Sequence, residues 1–241
     1  MIDTVLQSCF SLKLSTKMLK IKIYIVFALL HTMSCTNVVT QDLDNIEFSP
    51  GPTWAPVSAE EIKETLTRTK IIPDALDKAP DYNANILWYD LPMGFGRTLV
   101  PYEVIYFPSW FQWPHDKEKL YTFVMTDLDY PTKKTPNGRE FLIWLIGNIP
   151  GNEGLAGKKC VEYVGWQEAF KQDPDFHRYI VTVFEQPQKL PIDFNSIKYL
   201  KSESAIQNRT KFSTRKFATT FKLGDPIAVD FAFVNVSGPT E

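Results

Sequence analysis

Five runs of strand-forming residues, separated by Pro and Gly clusters, restrict this chain more than any other feature. They read "ANILWY" (84–89), "LYTFVMT" (120–126), "EFLIWLIGN" (140–148), "YIVTVFEQ" (179–186) and "PIAVDFAFVNV" (226–236). Val, Ile and aromatic side chains dominate them, as a pleated and half-buried surface requires. "YIVTVFE" and "IAVDFAFV" alternate in part between apolar and polar positions, the pattern of a strand with two unlike faces. "FLIWLI" has no polar face at all, so it is expected to be a central strand covered on both sides. One early segment is helical by pattern. Ser58 stands three residues before Glu61 in "SAEEIKETLTR", a capping box, and Pro73 is expected to stop that helix. No repeat or low-complexity tract is present. The prediction is a single mostly-β domain over residues 57–241, with a few short helices.

Composition limits what such a domain would do. Hydrophobic residues make up 44% and charged residues 22%, the range of globular proteins. The formal net charge of −2 argues against a nucleic-acid or membrane-surface binder. The short basic run Arg209–Lys216 reads as a solvated face. The N-terminus carries Lys13, Lys17, Lys20 and Lys22, then the apolar run Ile23–Leu30, then the small residues Thr32 and Ser34. That order describes a secretory signal peptide over residues 1–35, with Met18 as an alternative initiator. A mitochondrial presequence fits less well, because the apolar block is compact and arginine is absent from it. The mature, secreted chain is expected to begin between Cys35 and Asn37, with a flexible arm over 36–56. No later apolar run is long enough to span a bilayer. Three cysteines, Cys9, Cys35 and Cys160, give no disulfide framework, and Cys160 reads as a buried thiol. Asn208 and Asn235 begin sequons usable in a secretory route; Asn235 is expected in a strand, where a glycan would be obstructed.

Two places carry candidate chemistry. Asp127 and Asp129 end a strand run just before Tyr130-Pro131. Paired carboxylates serve as acid and base or as ligands for a hard metal. The simpler reading is a polar turn in which Asp bonds neighbouring amides and prepares a bend. A cis Tyr130-Pro131 bond is expected there. The second place is "FHRYIV". Alternation puts His177 and Tyr179 on one face, where both can donate to an anionic oxygen, and Arg178 on the other, where a carboxylate such as Glu140 would pair with it. No His/Cys cluster has zinc spacing, and no G-x-S-x-G elbow or Walker loop occurs. No catalytic residue, metal or cofactor is therefore expected.

The ordered segments "IIPDALDKAP", "LVPYEV", "YTFVMTDLDYP", "REFLIWLIGNIPG", "YVG", "HRYIVTVFEQ" and "KFATTFKLGDPIAVDFAFV" resemble the phosphatidylethanolamine-binding protein family. The resemblance implies a large central antiparallel sheet packed on a smaller one, with short peripheral helices. It also implies a small pocket for anionic groups at one end. By position that pocket would hold Asp127, Asp129, Pro131, His177 and Tyr179. Three departures stand out. Ile143 replaces the histidine of the family strand E-Y-L-H-W-L-V, and Leu128 replaces the first proline of D-P-D. The wall before H-R-Y, usually rich in Gly and Pro, reads "WQEAFKQDPDF". The expected function is non-enzymatic binding of a lipid head group or small amphiphilic ligand in a pocket with a weakened anion site. The alternative is a protein-interaction module that inhibits a protease or a kinase pathway.

Overall fold

The structure, a computed structural model, describes residues 55–166, 175–187 and 190–237. All of these fall in one compact unit, Gly51–Glu241. The stretch read as a signal peptide, and the arm up to residue 54, lie outside the described residues.

Helix α1 spans Ala59–Arg68, and Ser58 caps it by accepting from the Glu61 amide at 3.2 Å. It ends before Pro73, at Thr69, and Lys70 then takes a left-handed conformation (φ 56°). Pro73 sits instead inside the short α2, Ile71–Asp74. Ten strands follow among the described residues: β1 Tyr82–Asn83, β2 Asn85–Trp88, β3 Leu91–Pro92, β4 Arg97–Leu99, β5 Trp110–Gln112, β6 Leu120–Asp127, β7 Phe141–Pro150, β8 Lys158–Val161, β9 Phe176–Glu185 and β10 Ala228–Asn235. Helix α3, Thr214–Thr220, precedes β10.

The large sheet has seven strands in the order β1-β10-β9-β6-β7-β8, with β4 also paired to β10. Its body is antiparallel, but β1 and β4 join β10 in parallel, so the sheet is mixed rather than wholly antiparallel. The smaller sheet has the order β3-β2-β5. β7, the wholly apolar strand, is not central: only the short β8 lies beyond it. It is nonetheless covered on both sides. Ile143 and Ile146 join the cluster facing the small sheet, and Leu142 and Leu145 join the cluster beneath α3. Alternation works the same way along β9. Tyr179, Val181 and Val183 face the small sheet, Ile180 meets Ile62 and Leu66 of α1, and Phe184 meets Phe217 of α3. The sheet is therefore sandwiched between a three-stranded layer and a helical one, and the polar groups gather at the end where β6 stops and β9 starts.

Candidate functional site

Asp127 is the last residue of β6, and its backbone pairs with Phe141 on one side and Tyr179 on the other. Its Oδ1 accepts the Asp129 amide at 2.8 Å, closing the tight turn expected from the pattern. Its Oδ2 lies 2.7 Å from His177 Nδ1. A carboxylate oxygen only accepts, so Nδ1 carries the proton of that bond. Tyr130-Pro131 is cis. The Tyr130 ring lies 4.7 Å from that of Phe141, which roofs the turn with apolar surface.

Asp129 goes elsewhere. Its carboxylate accepts from the Arg178 amide at 2.9 Å, from Arg178 Nε at 2.9 Å and from Arg178 Nη2 at 2.6 Å. Arg139 Nη2 approaches at 3.3 Å. The remaining Arg178 donors reach the Thr69 and Lys70 carbonyls and Asp74, and Arg139 also pairs with Asp74 at 3.0 Å. This charge network ties the α1–α2 connection to the sheet. Burial alone would push the Asp129 carboxyl up, but the Arg178 fork beside it outweighs burial and holds it below the usual carboxylate range. The two aspartates thus divide between the faces of β9, one for His177 and one for Arg178. Asp129, predicted to line the pocket, is a structural counter-ion. Arg178 lies on the face opposite His177 and Tyr179, as alternation required, but its partners are Asp129 and Asp74 rather than Glu140. Glu140 is buried against the Thr214 amide and hydroxyl and the Thr126 hydroxyl, and burial pushes its carboxyl up.

The structure brings Asp127, His177, Tyr179 and Ile143 to the same end of the sheet. All four are buried, His177 completely. Pro131 and Tyr130 are half-buried beside them. Burial, with the neighbouring Asp127 and Tyr163, drives the Tyr179 phenol well up, so it remains a neutral donor. Ile143 packs in the same apolar cluster as Phe141, Trp144 and Tyr179. Of the family wall expected here, Trp166 to Phe176, residues 167–174 lie outside the described residues. Among the described residues, no three of His, Cys, Asp and Glu gather as a metal site needs. Cys160 is a buried free thiol whose pKa is pushed up to about 11 by burial.

Several contributors gave no local sequence signal. Arg139 and Asp74 complete the Asp129 network. Arg209, read within a solvated basic run, is buried, and its guanidinium donates to the Leu142, Ile143 and Lys201 carbonyls. It props β7 directly behind Ile143. Arg215, in the same run, reaches Asp77 at 2.9 Å. Asn208 is exposed on a 3-10 turn, Ile206–Arg209, whereas Asn235 lies in β10 with its Oδ1 bonded to the Ser237 amide and hydroxyl.

The sequence model for "phosphatidylethanolamine-binding protein" matches residues 88–224, more than half of the chain. The putative odorant-binding protein A5 of Drosophila melanogaster is 28% identical over 170 residues, covering 70% of this chain and 78% of that protein. In the carboxypeptidase Y inhibitor, solved in complex with its cognate proteinase, the same fold recurs with a TM-score of 0.58 and 18% identity, over 73% of this chain and 96% of that one. The phosphatidylethanolamine-binding protein of Plasmodium vivax superimposes with a TM-score of 0.57 and 18% identity, over 75% and 98% of the two chains. With the family sequence model spanning β2 to the end of α3, and the two-sheet fold repeated in those structures, this chain belongs to the phosphatidylethanolamine-binding protein family.

Proposed function

We propose that the protein is a non-enzymatic binder of small amphiphilic or apolar molecules, whose polar end is taken by Asp127, His177 and Tyr179. The observation that carries this reading is Ile143. It stands where the family resemblance implies a histidine, and it is packed among Phe141, Trp144 and Tyr179. A charge-assisted hydrogen bond lost at that position is worth about 1.5–3 kcal/mol, or roughly 10- to 100-fold in affinity for an anion. The same residue adds apolar surface, which favours hydrocarbon by about 25 cal/mol per Å² buried. Phosphate head groups should therefore bind weakly and less charged ligands better. Export through the secretory route belongs to this proposal, supported by the Lys-rich start and its apolar run.

The test is calorimetric titration with phosphorylethanolamine before and after Ile143→His. The variant should bind at least tenfold more tightly. Tight binding by the parent with no gain from histidine would sink the proposal. N-terminal sequencing of protein made in a eukaryotic secretion system checks export: an intact residue 1–34 segment on a cytosolic product is the contrary result. The likeness of fold to the carboxypeptidase Y inhibitor supports one alternative, inhibition of a partner protein through the surface, at the level of fold alone.

A further inference from the structure

We infer a second binding site, separate from the Asp127–His177 end, for a small, neutral, ring-bearing apolar molecule. It lies between the segment Ile105–Phe107 and the segment that follows β8, and it encloses about 420 Å³. That volume is within the range of small-molecule sites, about 300–1,000 Å³. None of Asp127, Asp129, Pro131, Ile143, His177 or Tyr179 lines it.

The wall of this cleft is held in place rather than loosely draped. A Cβ at Gly165 would stand 1.9 Å from the Ile105 carbonyl oxygen, so only glycine lets the two backbones approach this closely. The Val104 carbonyl accepts from the Tyr163 hydroxyl at 2.6 Å and from the Trp166 amide at 3.3 Å. The Tyr106 carbonyl accepts from Trp88 Nε1 at 2.8 Å. The backbone of 104–106 is thus pinned from beneath; Val104 is buried in the core, and the side chains of Ile105, Tyr106 and Phe107 are turned outward. Ile105 is 43% exposed, Tyr106 67% and Phe107 48%, and Leu155 at the other lip is 43% exposed. Four large apolar side chains at one cleft form the kind of contiguous exposed patch that marks a binding site.

The lining specifies the ligand. Trp144, Tyr163, Val164 and Trp166 present their apolar surfaces. The Tyr163 hydroxyl is already used on Val104, and Trp166 Nε1 donates to the Val236 carbonyl at 3.1 Å. The aromatic floor therefore offers stacking surface and no convergent donors for an anion. Lys159 and Glu162 both border the cleft and bring opposite charges. Glu162 is already engaged by the Tyr199 hydroxyl and the Ser202 amide. A neutral ring with one small polar group at the mouth fits this chemistry. An α-helix, about 10–12 Å across, would fill the volume in less than one turn, so a folded peptide is the poorer occupant.

The test uses the full chain and the neutral fluorophore N-phenyl-1-naphthylamine. Saturable one-to-one binding is expected, with quenching of tryptophan emission because Trp144 and Trp166 touch the probe. The double variant Phe107→Lys, Leu155→Lys alters only exposed lip residues and should weaken binding at least tenfold. Leu190→Lys, exposed elsewhere, should leave it unchanged. Circular dichroism and the thermal midpoint report whether the double variant folds; if it does not, Phe107→Ser alone is read against the same expectation. Non-saturable binding, or unchanged affinity in the folded lip variant, overturns the inference. So does a lip variant that converts a dimer to a monomer by light scattering without altering probe affinity, because the cleft would then belong to a second copy. Loss of binding in Asp127→Asn with none in the lip variant would put the probe at the Asp127 end. That result overturns this site and leaves the preceding proposal standing.

Discussion

Asp129 and Asp230 are both buried carboxylates on the large-sheet framework, and they are solved in opposite ways. Asp129 meets the Arg178 fork, Arg139 nearby and the Arg178 amide. Asp230, in β10, accepts only amides: Phe95 at 2.9 Å, Phe231 at 2.8 Å and Ile86 at 3.4 Å. Among the described residues no cation pairs with it. Burial pushes the Asp230 carboxyl up to about 7, even with the three amides pulling it back, whereas the Arg178 pair keeps Asp129 low. The lesson is that burial sets the penalty but the partner sets the charge.

The largest effect should come from breaking the paired case. Asp129→Asn leaves Arg178 without its main counter-ion in a dry site, and should destabilise the fold by about 3–5 kcal/mol. Urea unfolding measures it. A loss below 1 kcal/mol would mean that Asp74 alone suffices for Arg178.

Next comes the unpaired case, read by pH. Asp230 has its folded pKa raised from 3.8 to about 7, so between those values the native state holds a proton that the unfolded state has released. Its contribution to stability is full below pH 4, falls as pH rises toward 7 and is flat above, an effect of up to ~4 kcal/mol. Asp129 runs the other way: its contribution is present above its ordinary pKa and is lost as pH falls below it. Asp230→Asn should remove the larger part of the slope between pH 4 and 7, leaving the part that the raised Glu140 carboxyl supplies, and leave the acid limb. An unchanged slope in that variant would assign the ramp to another group.

The smallest effect should come from the intermediate case, Glu140, whose neighbours are hydroxyls and one amide. Thr214→Val removes a hydroxyl donor and leaves the amide, and should cost about 1–2 kcal/mol. Measured beside Asp129→Asn, it ranks a neutral donor against a charged one at equal burial.

The turn at Asp127, the N-cap of α1 and the alternation of β9 were legible because their causes are local. Asp127 bonds the amide two residues on, Ser58 the amide three residues on, and strand faces repeat every second residue. The family resemblance placed Asp127, Asp129, Pro131, His177 and Tyr179 around one pocket, with Ile143 in the strand beside it; Asp127, Ile143, His177 and Tyr179 lie buried at one end of the sheet, whereas the Asp129 carboxylate turns to Arg178, 49 positions away. Arg209 misled for the same reason. A basic run looks solvated until the fold supplies buried carbonyls for it, here those of Leu142 and Ile143 on β7.

By itself, the sequence determined that this chain forms a two-faced β domain, where its tight turn lies, and that a histidine is missing from the strand after it. The first two follow from side-chain periodicity and from hydrogen bonds of short reach; the missing histidine is what the family resemblance implies. Only the tertiary structure decided which buried charge has a partner, that the most apolar strand sits beside a sheet edge with both faces covered, and that the Gly165 and Ile105 backbones meet closely beside an aromatic cleft. Each of these depends on register between segments far apart in the chain, such as Arg178 reaching Asp74 across 104 positions. Local pattern carries no information about such distances, because the energy of a buried ion pair or a close backbone contact exists only once both partners have been placed.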